Sequence, residues 1–302
     1  MSESSFVIAS RGSKLALWQA HFTAGLLPGD AEVRVYKTQG DQIQHLSLSK
    51  VEGKGFFTKE IEEALLSKEA NVAVHSLKDL PTEEHPDLEI VAIPKRYPAT
   101  DLLLINPQST DPSMALGLKS GATVGTSSIR RKAQLLALRP DIELVDIRGN
   151  VPTRAKRVSS DLDAVILARA GVERLGLMES ADYHVQELAF EEMLPAPAQG
   201  ALGIQMRRND PDAEKVKAAL HCEDTARCVA IERGLLSHAG GGCHLPLGAF
   251  AKYRDGIFTV NARVTSPDGK SVLEAQASGG DTGKIVESLW TDLAAQGAED
   301  YL

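Results

Sequence analysis

ATVGTSSIRRKAQLLALRP, residues 122–140, reads as a strand feeding directly into a helix. Thr126, Ser127 and Ser128 are good N-cap residues, since a side-chain oxygen there accepts from a first-turn N–H. Pro140 cannot continue a helix. The spacing therefore predicts a helix that opens near Ser128 and ends before Pro140. The same order recurs in IELVDIRGNVPTRAKRV (142–158) and LDAVILARAGVERLGL (162–177). Toward the N-terminus, FVIAS (6–10) is a strand before the helical SKLALWQAHFTAGLL (13–27). EVRVYKT (32–38), NVAVHS (71–76), LEIVAIP (88–94) and TDLLLINP (100–107) read as further strands. TKEIEEALLSK (58–68) is an amphipathic helix with Thr58 as its N-cap candidate. This alternation predicts an α/β chain with mostly parallel sheets and helices on both faces.

A chain of 302 residues is too long for one small core and suggests two or three domains. A second unit runs from about Thr100 to Leu194, and LPAPAQGALGIQM (194–206) reads as a Pro/Gly crossover into another strand. After Pro211 come two helical patterns, strands joined by the turn SPDGK (266–270), and a last helix over KIVESLWTDLAAQG (284–297). DQIQHLSLSKVEGKGFFTKE (41–60) is long for an α/β connection and suggests a lid; a surface loop without a role is the alternative.

The balance of 33 Lys+Arg against 41 Asp+Glu gives a formal net charge of −8. That argues against nucleic acid or an anionic membrane as a partner, though it leaves room for a local basic pocket. The first residues carry no apolar signal-peptide core, and no run of some 18 apolar residues suggests a membrane span, so the expected location is the cytoplasm. Cys222, Cys228 and Cys243 are odd in number and lack C-x-x-C spacing, which argues against a disulfide framework and a zinc site; no metal is expected. Packing accounts better for Cys222 and Cys228. Cys243 differs: in SHAGGGCHLPLGAF (237–250) three glycines leave its thiol little to pack against.

The chemistry gathers after the strands. Arg130 and Arg131 occupy the first turn of the helix expected to open near Ser128, where the helix dipole disfavours cations but welcomes an anion. Arg148 follows a strand, Pro152 marks the first position of the next helix, and Arg154 lies in its first turn. Arg169 and Arg174 follow the next strand, and Arg11 with Ser13 repeats the arrangement near the N-terminus. In open α/β sheets, ligands bind beyond the carboxyl ends of strands. Several arginines there, in an acidic protein, imply a ligand with several carboxylates or phosphates, which a planar guanidinium pairs bidentately. Lys78 and Asp79 follow the strand NVAV; a carboxylate among cations stays ionised and suits a cationic intermediate. His75 reads as a packed or capping histidine. No nucleotide-binding glycine loop and no G-x-S-x-G elbow occurs.

Taken together, IASRGSKLALWQA (8–20), GKGFFTKEIEEALL (53–66), VAVHSLKDLPT (72–82), VGTSSIRRKAQLL (124–136), RGNVPTR (148–154), AVILARAGVERLGL (164–177), LPAPAQGALGIQ (194–205) and GGGCHLPLGAF (240–250) closely resemble the porphobilinogen deaminase family over nearly the full length. The resemblance implies three domains: 1–97 with 199–212, 98–198, and 213–302. The first two would be like type II periplasmic binding proteins, with mixed, mostly parallel sheets and a cleft between them; the third would be a smaller α+β domain. It implies a transferase that joins four porphobilinogen molecules head to tail, releases ammonia each time, and hydrolyses the product off as hydroxymethylbilane. Cys243 would hold a dipyrromethane cofactor through a thioether, and Asp79 would be the catalytic aspartate. Cofactor-binding positions fall on Lys78, Asp79, Thr126, Ser128, Arg130, Arg131 and Arg148. Substrate-binding positions fall on Arg11, Ser13, Gln19, Arg148, Arg154, Arg174 and Gln199, with Lys54 and Lys59 in a lid over about 42–59. A cytoplasmic monomer is implied, with porphobilinogen as its small-molecule partner.

Three details depart from the family's pattern: Ala198 stands where many relatives carry glycine, Arg169 where a small or apolar residue is common, and PKRYPATDLLLINP (94–107) lacks an acidic hinge segment. Two other classes compete. A non-catalytic binding protein for a polycarboxylate would have no use for Cys243, and a thiol-dependent hydrolase would need a partnered base beside it.

Overall fold

The computed structural model describes residues 5–38, 58–242 and 245–302. In chain order the elements begin with β1 (Ser5–Arg11), α1 (Lys14–Ala24), β2 (Asp30–Tyr36), α2 (Lys59–Leu66), β3 (Val72–Ser76) and β4 (Leu88–Ala92). There follow β5 (Asp101–Ile105), β6 (Thr123–Gly125), α3 (Ile129–Leu138), β7 (Glu143–Val145), α4 (Val151–Ala155), β8 (Ala164–Ala168), α5 (Arg169–Arg174) and β9 (His184–Glu187). Next come β10 (Leu202–Arg207), α6 (Ala213–Leu220), α7 (Glu223–His238), β11 (Leu247–Arg254), β12 (Ile257–Thr265), β13 (Val272–Gly279) and α8 (Thr282–Ala295). Two compact units form, Met1–Tyr97 with Ala201–Arg227, and Pro98–Gly200 with Cys228–Leu302.

The first unit carries a five-stranded sheet in the order β2-β1-β3-β10-β4. β1 runs parallel to β2 and β3, while β10 is antiparallel to both β3 and β4. The second unit carries a sheet of the same design, β7-β6-β8-β5-β9, with β6 parallel to its neighbours and β5 antiparallel to its own. Each sheet thus has a single reversed strand, and the rest share one direction. The Pro/Gly segment 194–206 does deliver a strand, β10, into the first sheet.

Continuous apolar runs such as Leu102-Leu103-Leu104-Ile105 arise because both faces of these strands are covered, which removes the usual in-out alternation. Leu103 and Ile105 pack with Leu135 of α3, Leu188 and Met193; Leu102 and Leu104 pack on the other side with Ile147, Val165 and Val172. Each fully buried leucine contributes about 1.5–3 kcal/mol by leaving water. In the first sheet, Phe6, Ile8, Val72 and Val74 face one core, and Ala9 and Ala73 face Ile61 and Leu65 of α2.

The second unit also holds the antiparallel sheet β11-β12-β13. Ile231 and Leu235 of α7 and Ile285, Leu289 and Leu293 of α8 share its core with Phe258, Val260 and Val264. Among the described residues no helix is long and apolar enough to cross a membrane.

Candidate functional site

In the first unit, β1 and β3 run parallel and end side by side, and a cavity opens at their carboxyl ends. Arg11 (the last residue of β1), Ser13, Gln19, Thr58, His75, Ser76 and Asp79 line it. Ser13 is placed by capping α1, its Oγ accepting from the Ala16 N–H at 3.2 Å. Gln19 is buried in α1 and donates through Nε2 to Ser76 Oγ at 2.8 Å, tying the helix to the end of β3. Lys78 and the exposed Asp79 sit on a tight 3-10 turn, Leu77–Asp79. That turn is anchored from behind. The Leu77 N–H donates to the Ala201 carbonyl at 3.0 Å, and the Leu77 side chain packs where a Cβ on Gly203 would come within 2.8 Å of it.

His75 is packed, as its position in a buried strand suggests. Its Nε2 meets Gln205 Oε1 at 3.0 Å. Burial, assisted by the nearby Arg11 charge and opposed by the Gln205 hydrogen bond, pushes its pKa down to about 4, so the imidazole is neutral at ordinary pH.

In the second unit, Ser128 caps α3 as its sequence predicts, accepting from the Arg131 N–H at 3.5 Å, and the helix spans Ile129–Leu138. Thr126 Oγ1 accepts from the Ser128 N–H at 3.2 Å. Ser127 ties this turn to the strand beside it, donating to the Ile147 carbonyl at 2.6 Å and accepting from the Ile147 N–H at 3.0 Å. Arg130 and Arg131 point inward and are buried. Their shared partner is Asp101, which sequence reasoning did not single out. Arg130 Nη2 lies 2.8 Å from Asp101 Oδ2, and Arg131 Nη2 lies 2.7 Å from Oδ1. Gln199 joins them, donating through Nε2 to Asp101 Oδ1 at 2.9 Å and to the Ala99 carbonyl at 2.6 Å.

One carboxylate thus faces two guanidinium groups away from water, leaving an excess of one positive charge. Burial, with repulsion from Arg131, holds the Arg130 pKa below the usual arginine range despite Asp101. The Nε atoms of Arg130 and Arg131 are buried without hydrogen-bond partners. An excess cation with spare donors suits a carboxylate-bearing ligand. The fit to a dipyrromethane, whose rings carry carboxylates, is good on this ground.

Arg148 is half-buried after β7, and Arg154 donates from Nε to the Gly149 carbonyl at 2.7 Å. Asn150 rather than Pro152 sets the start of α4: its Oδ1 accepts from the Thr153 N–H at 3.0 Å, which moves Pro152 to the second helical position. Arg174 is buried and donates to the Gly200 carbonyl at 2.9 Å. Arg169 does not join this group, because Glu187 at 2.6 Å and Glu173 at 3.2 Å engage its guanidinium.

Ala198 has φ +61°, a left-handed backbone in which glycine is the ordinary residue. It is held there by Glu232 of α7, whose Oε2 accepts from the Ala198 N–H at 2.7 Å and whose Oε1 accepts from the Ala251 N–H at 2.9 Å. Beyond α7, Gly240 and Gly241 take φ values of +92° and +63°, and a Cβ added at Gly240 or Gly242 would meet nothing within 4 Å. The glycine run therefore leaves open room just before Cys243. Cys243 itself and Lys54, with most of the expected lid, lie outside the described residues. Lys59 is the exposed first residue of α2, 3.9 Å from Glu63. Cys228 is buried in a core and Cys222 accepts from Thr225 Oγ1 at 3.3 Å. Among the described residues no His/Cys/Asp/Glu cluster could hold a metal ion.

A family model described as "Porphobilinogen deaminase, dipyromethane cofactor binding domain" matches residues 6–215. Another, described as "Porphobilinogen deaminase, C-terminal domain", matches residues 226–294. A protein named porphobilinogen deaminase from Chromobacterium violaceum is 44% identical over 279 residues, covering 90% of this chain and 88% of its own. One of the same name from Maridesulfovibrio salexigens is 42% identical over 303 residues, covering 98% of this chain and 96% of its own. Among solved structures, an ancestral cationic amino acid solute binding protein is similar with a TM-score of 0.42 at 12% identity, over 71% of this chain and 87% of that one. A likeness that loose informs neither site nor chemistry.

Proposed function

The chain belongs to the porphobilinogen deaminase family, and on that premise we propose how its residues divide the work of condensing porphobilinogen. The enzyme is a transferase with a dipyrromethane cofactor. Each addition breaks the aminomethyl C–N bond of the substrate, releases ammonia, and forms a C–C bond to a pyrrole carbon that then loses its proton. When bound, the dipyrromethane supplies the pyrrole carbon to which the first unit is joined.

Asp79 is the catalytic group. Its carboxylate faces the cavity on a turn anchored by Leu77, and it stabilises the positive charge that develops on the substrate pyrrole as ammonia departs. Bound substrate displaces water around Asp79, which strengthens that attraction. Arg11, Ser13 and Gln19 bind substrate carboxylates in the same cavity. Arg148, Arg154, Arg174 and Gln199 take further carboxylates. Cys243 holds the cofactor by a thioether, and Lys78, Asp79, Thr126, Ser128, Arg130, Arg131 and Arg148 are assigned to cofactor binding. The buried excess charge beside Asp101 supports this assignment for Arg130 and Arg131, and the open room at Gly240 and Gly242 supports it for Cys243. The reading includes three domains, 1–97 with 199–212, 98–198 and 213–302. It also includes a cytoplasmic monomer; the net charge of −8 supports its binding neither nucleic acid nor an anionic membrane.

The observation that carries the catalytic assignment is the meeting of Asp79 with Arg11, Ser13 and Gln19 in one cavity. Asp79→Asn keeps the shape and removes the charge. Porphobilinogen consumption should fall about 100–1000-fold, the range for loss of one electrostatic stabiliser, while the cofactor stays attached. Near-parental turnover would remove Asp79 from this role.

A further inference from the structure

α2 opens on a threonine that does not do what its position predicts. Thr58 has φ −117° and ψ −25°, and its side chain makes no capping hydrogen bond. A capping residue ordinarily has extended backbone, which swings its hydroxyl over the first-turn N–H groups; the helical ψ here turns it away. The residue is 3% exposed, and Oγ1 is buried with no partner. It lines the same cavity as Arg11, Ser13 and Asp79. A buried hydroxyl without a partner destabilises the ligand-free fold, and native proteins hold few of them.

The helix that follows Thr58 is fixed against the sheet. Ile61, Ala64 and Leu65 of α2 pack with Ala9 and Ala73. Glu62 Oε1 accepts from Gln205 Nε2 at 2.9 Å, and Arg207 Nη1 donates to the Leu65 carbonyl at 2.6 Å. Gln205 in turn meets His75, so the helix is tied to both β3 and β10, the strands that carry Asp79's turn and its anchor.

We propose that Thr58 is a further substrate-binding residue, whose hydroxyl donates a hydrogen bond to a carboxylate of bound porphobilinogen. The proposal rests on the reading of the cavity as the porphobilinogen site. The substrate offers two carboxylates, an ammonium and a pyrrole N–H. Asp79 attracts the cationic end and Arg11 a carboxylate, and a hydroxyl donor completes the anion-binding side. The ligand thereby supplies the partner that the protein withholds.

Thr58→Val deletes the hydroxyl and keeps the shape; Thr58→Ser keeps the hydroxyl. With porphobilinogen as substrate, Thr58→Val should raise KM at least about tenfold, as expected for one hydrogen bond to a charged group. Its kcat should stay within about twofold of the parent's, and Thr58→Ser should restore KM. Because no internal bond is lost, Thr58→Val should melt at or above the parental Tm. A parental KM in Thr58→Val would overturn the proposal, as would a lowered Tm in Thr58→Val that Thr58→Ser restores, since a structural hydroxyl predicts that pattern. A parent protein that does not consume porphobilinogen would instead bring down the functional reading, and this inference with it.

Discussion

Asparagine at position 101 would remove one charge from the buried cluster and keep its shape. Asp101 is fully buried, and its two oxygens take Arg130 Nη2 at 2.8 Å, Arg131 Nη2 at 2.7 Å and Gln199 Nε2 at 2.9 Å. An amide offers one acceptor in place of two and turns its NH2 toward a guanidinium donor. At such separations a unit pair is worth roughly 6 kcal/mol with an effective dielectric near 20. Part of that is recovered because Asp101 no longer has to be desolvated. Two guanidinium groups, with side chains 3% and 8% exposed, would be left with no counter-charge among the described residues. Breaking a buried pair from one side costs about 3–5 kcal/mol, and we expect Asp101→Asn to fall in that range. Urea unfolding at neutral pH reads it directly as a lower midpoint. The exposed pair Arg254–Asp255 gives the control, since Asp255→Asn should leave the midpoint where it was. A loss below about 1 kcal/mol for Asp101→Asn would refute the view that this carboxylate neutralises the arginines.

Two further changes follow from other buried contacts. His75 has its pKa pushed down to about 4 by burial, against an ordinary 6.5 in the unfolded chain. The stability it contributes is therefore full above pH 6.5 and drains away as pH falls toward 4, by roughly 3 kcal/mol, because only the unfolded chain takes up the proton in that window. His75→Gln keeps a donor for Gln205 and should flatten the pH dependence of unfolding between pH 4 and 6.5; an unchanged slope contradicts this. Glu232→Gln replaces one acceptor oxygen with a donor facing the N–H of Ala198 or Ala251, and should cost about 1–3 kcal/mol. An unaltered Tm would show that the left-handed turn at Ala198 stands without it.

Much of this is legible in the sequence. Strand-then-helix order gave the two sheets, because the hydrophobic runs and capping hydroxyls are local signals; Ser128 caps α3 where its spacing says it should. Arg130 and Arg131 stand out in the sequence as cations in a helix's first turn, and in the structure the anion beside them is internal, Asp101. A lone aspartate opening the run Asp101–Ile105 was the available signal, and its meaning depended on a contact some 30 residues away. Thr58 misled for the opposite reason. Its type and spacing suit a cap, yet its ψ of −25° leaves the side chain without a capping hydrogen bond, and no local rule reports that. Arg169 looked like the other arginines until β9 brought Glu187 against it.

The glycine loop before Cys243 makes the strongest demand on the chemistry, and peptide mass mapping of the freshly purified, active enzyme puts it to the test. The tether predicts a two-pyrrole addition confined to the peptide that contains Cys243, with Cys222 and Cys228 unmodified. An active enzyme whose Cys243 peptide has its unmodified mass would contradict it.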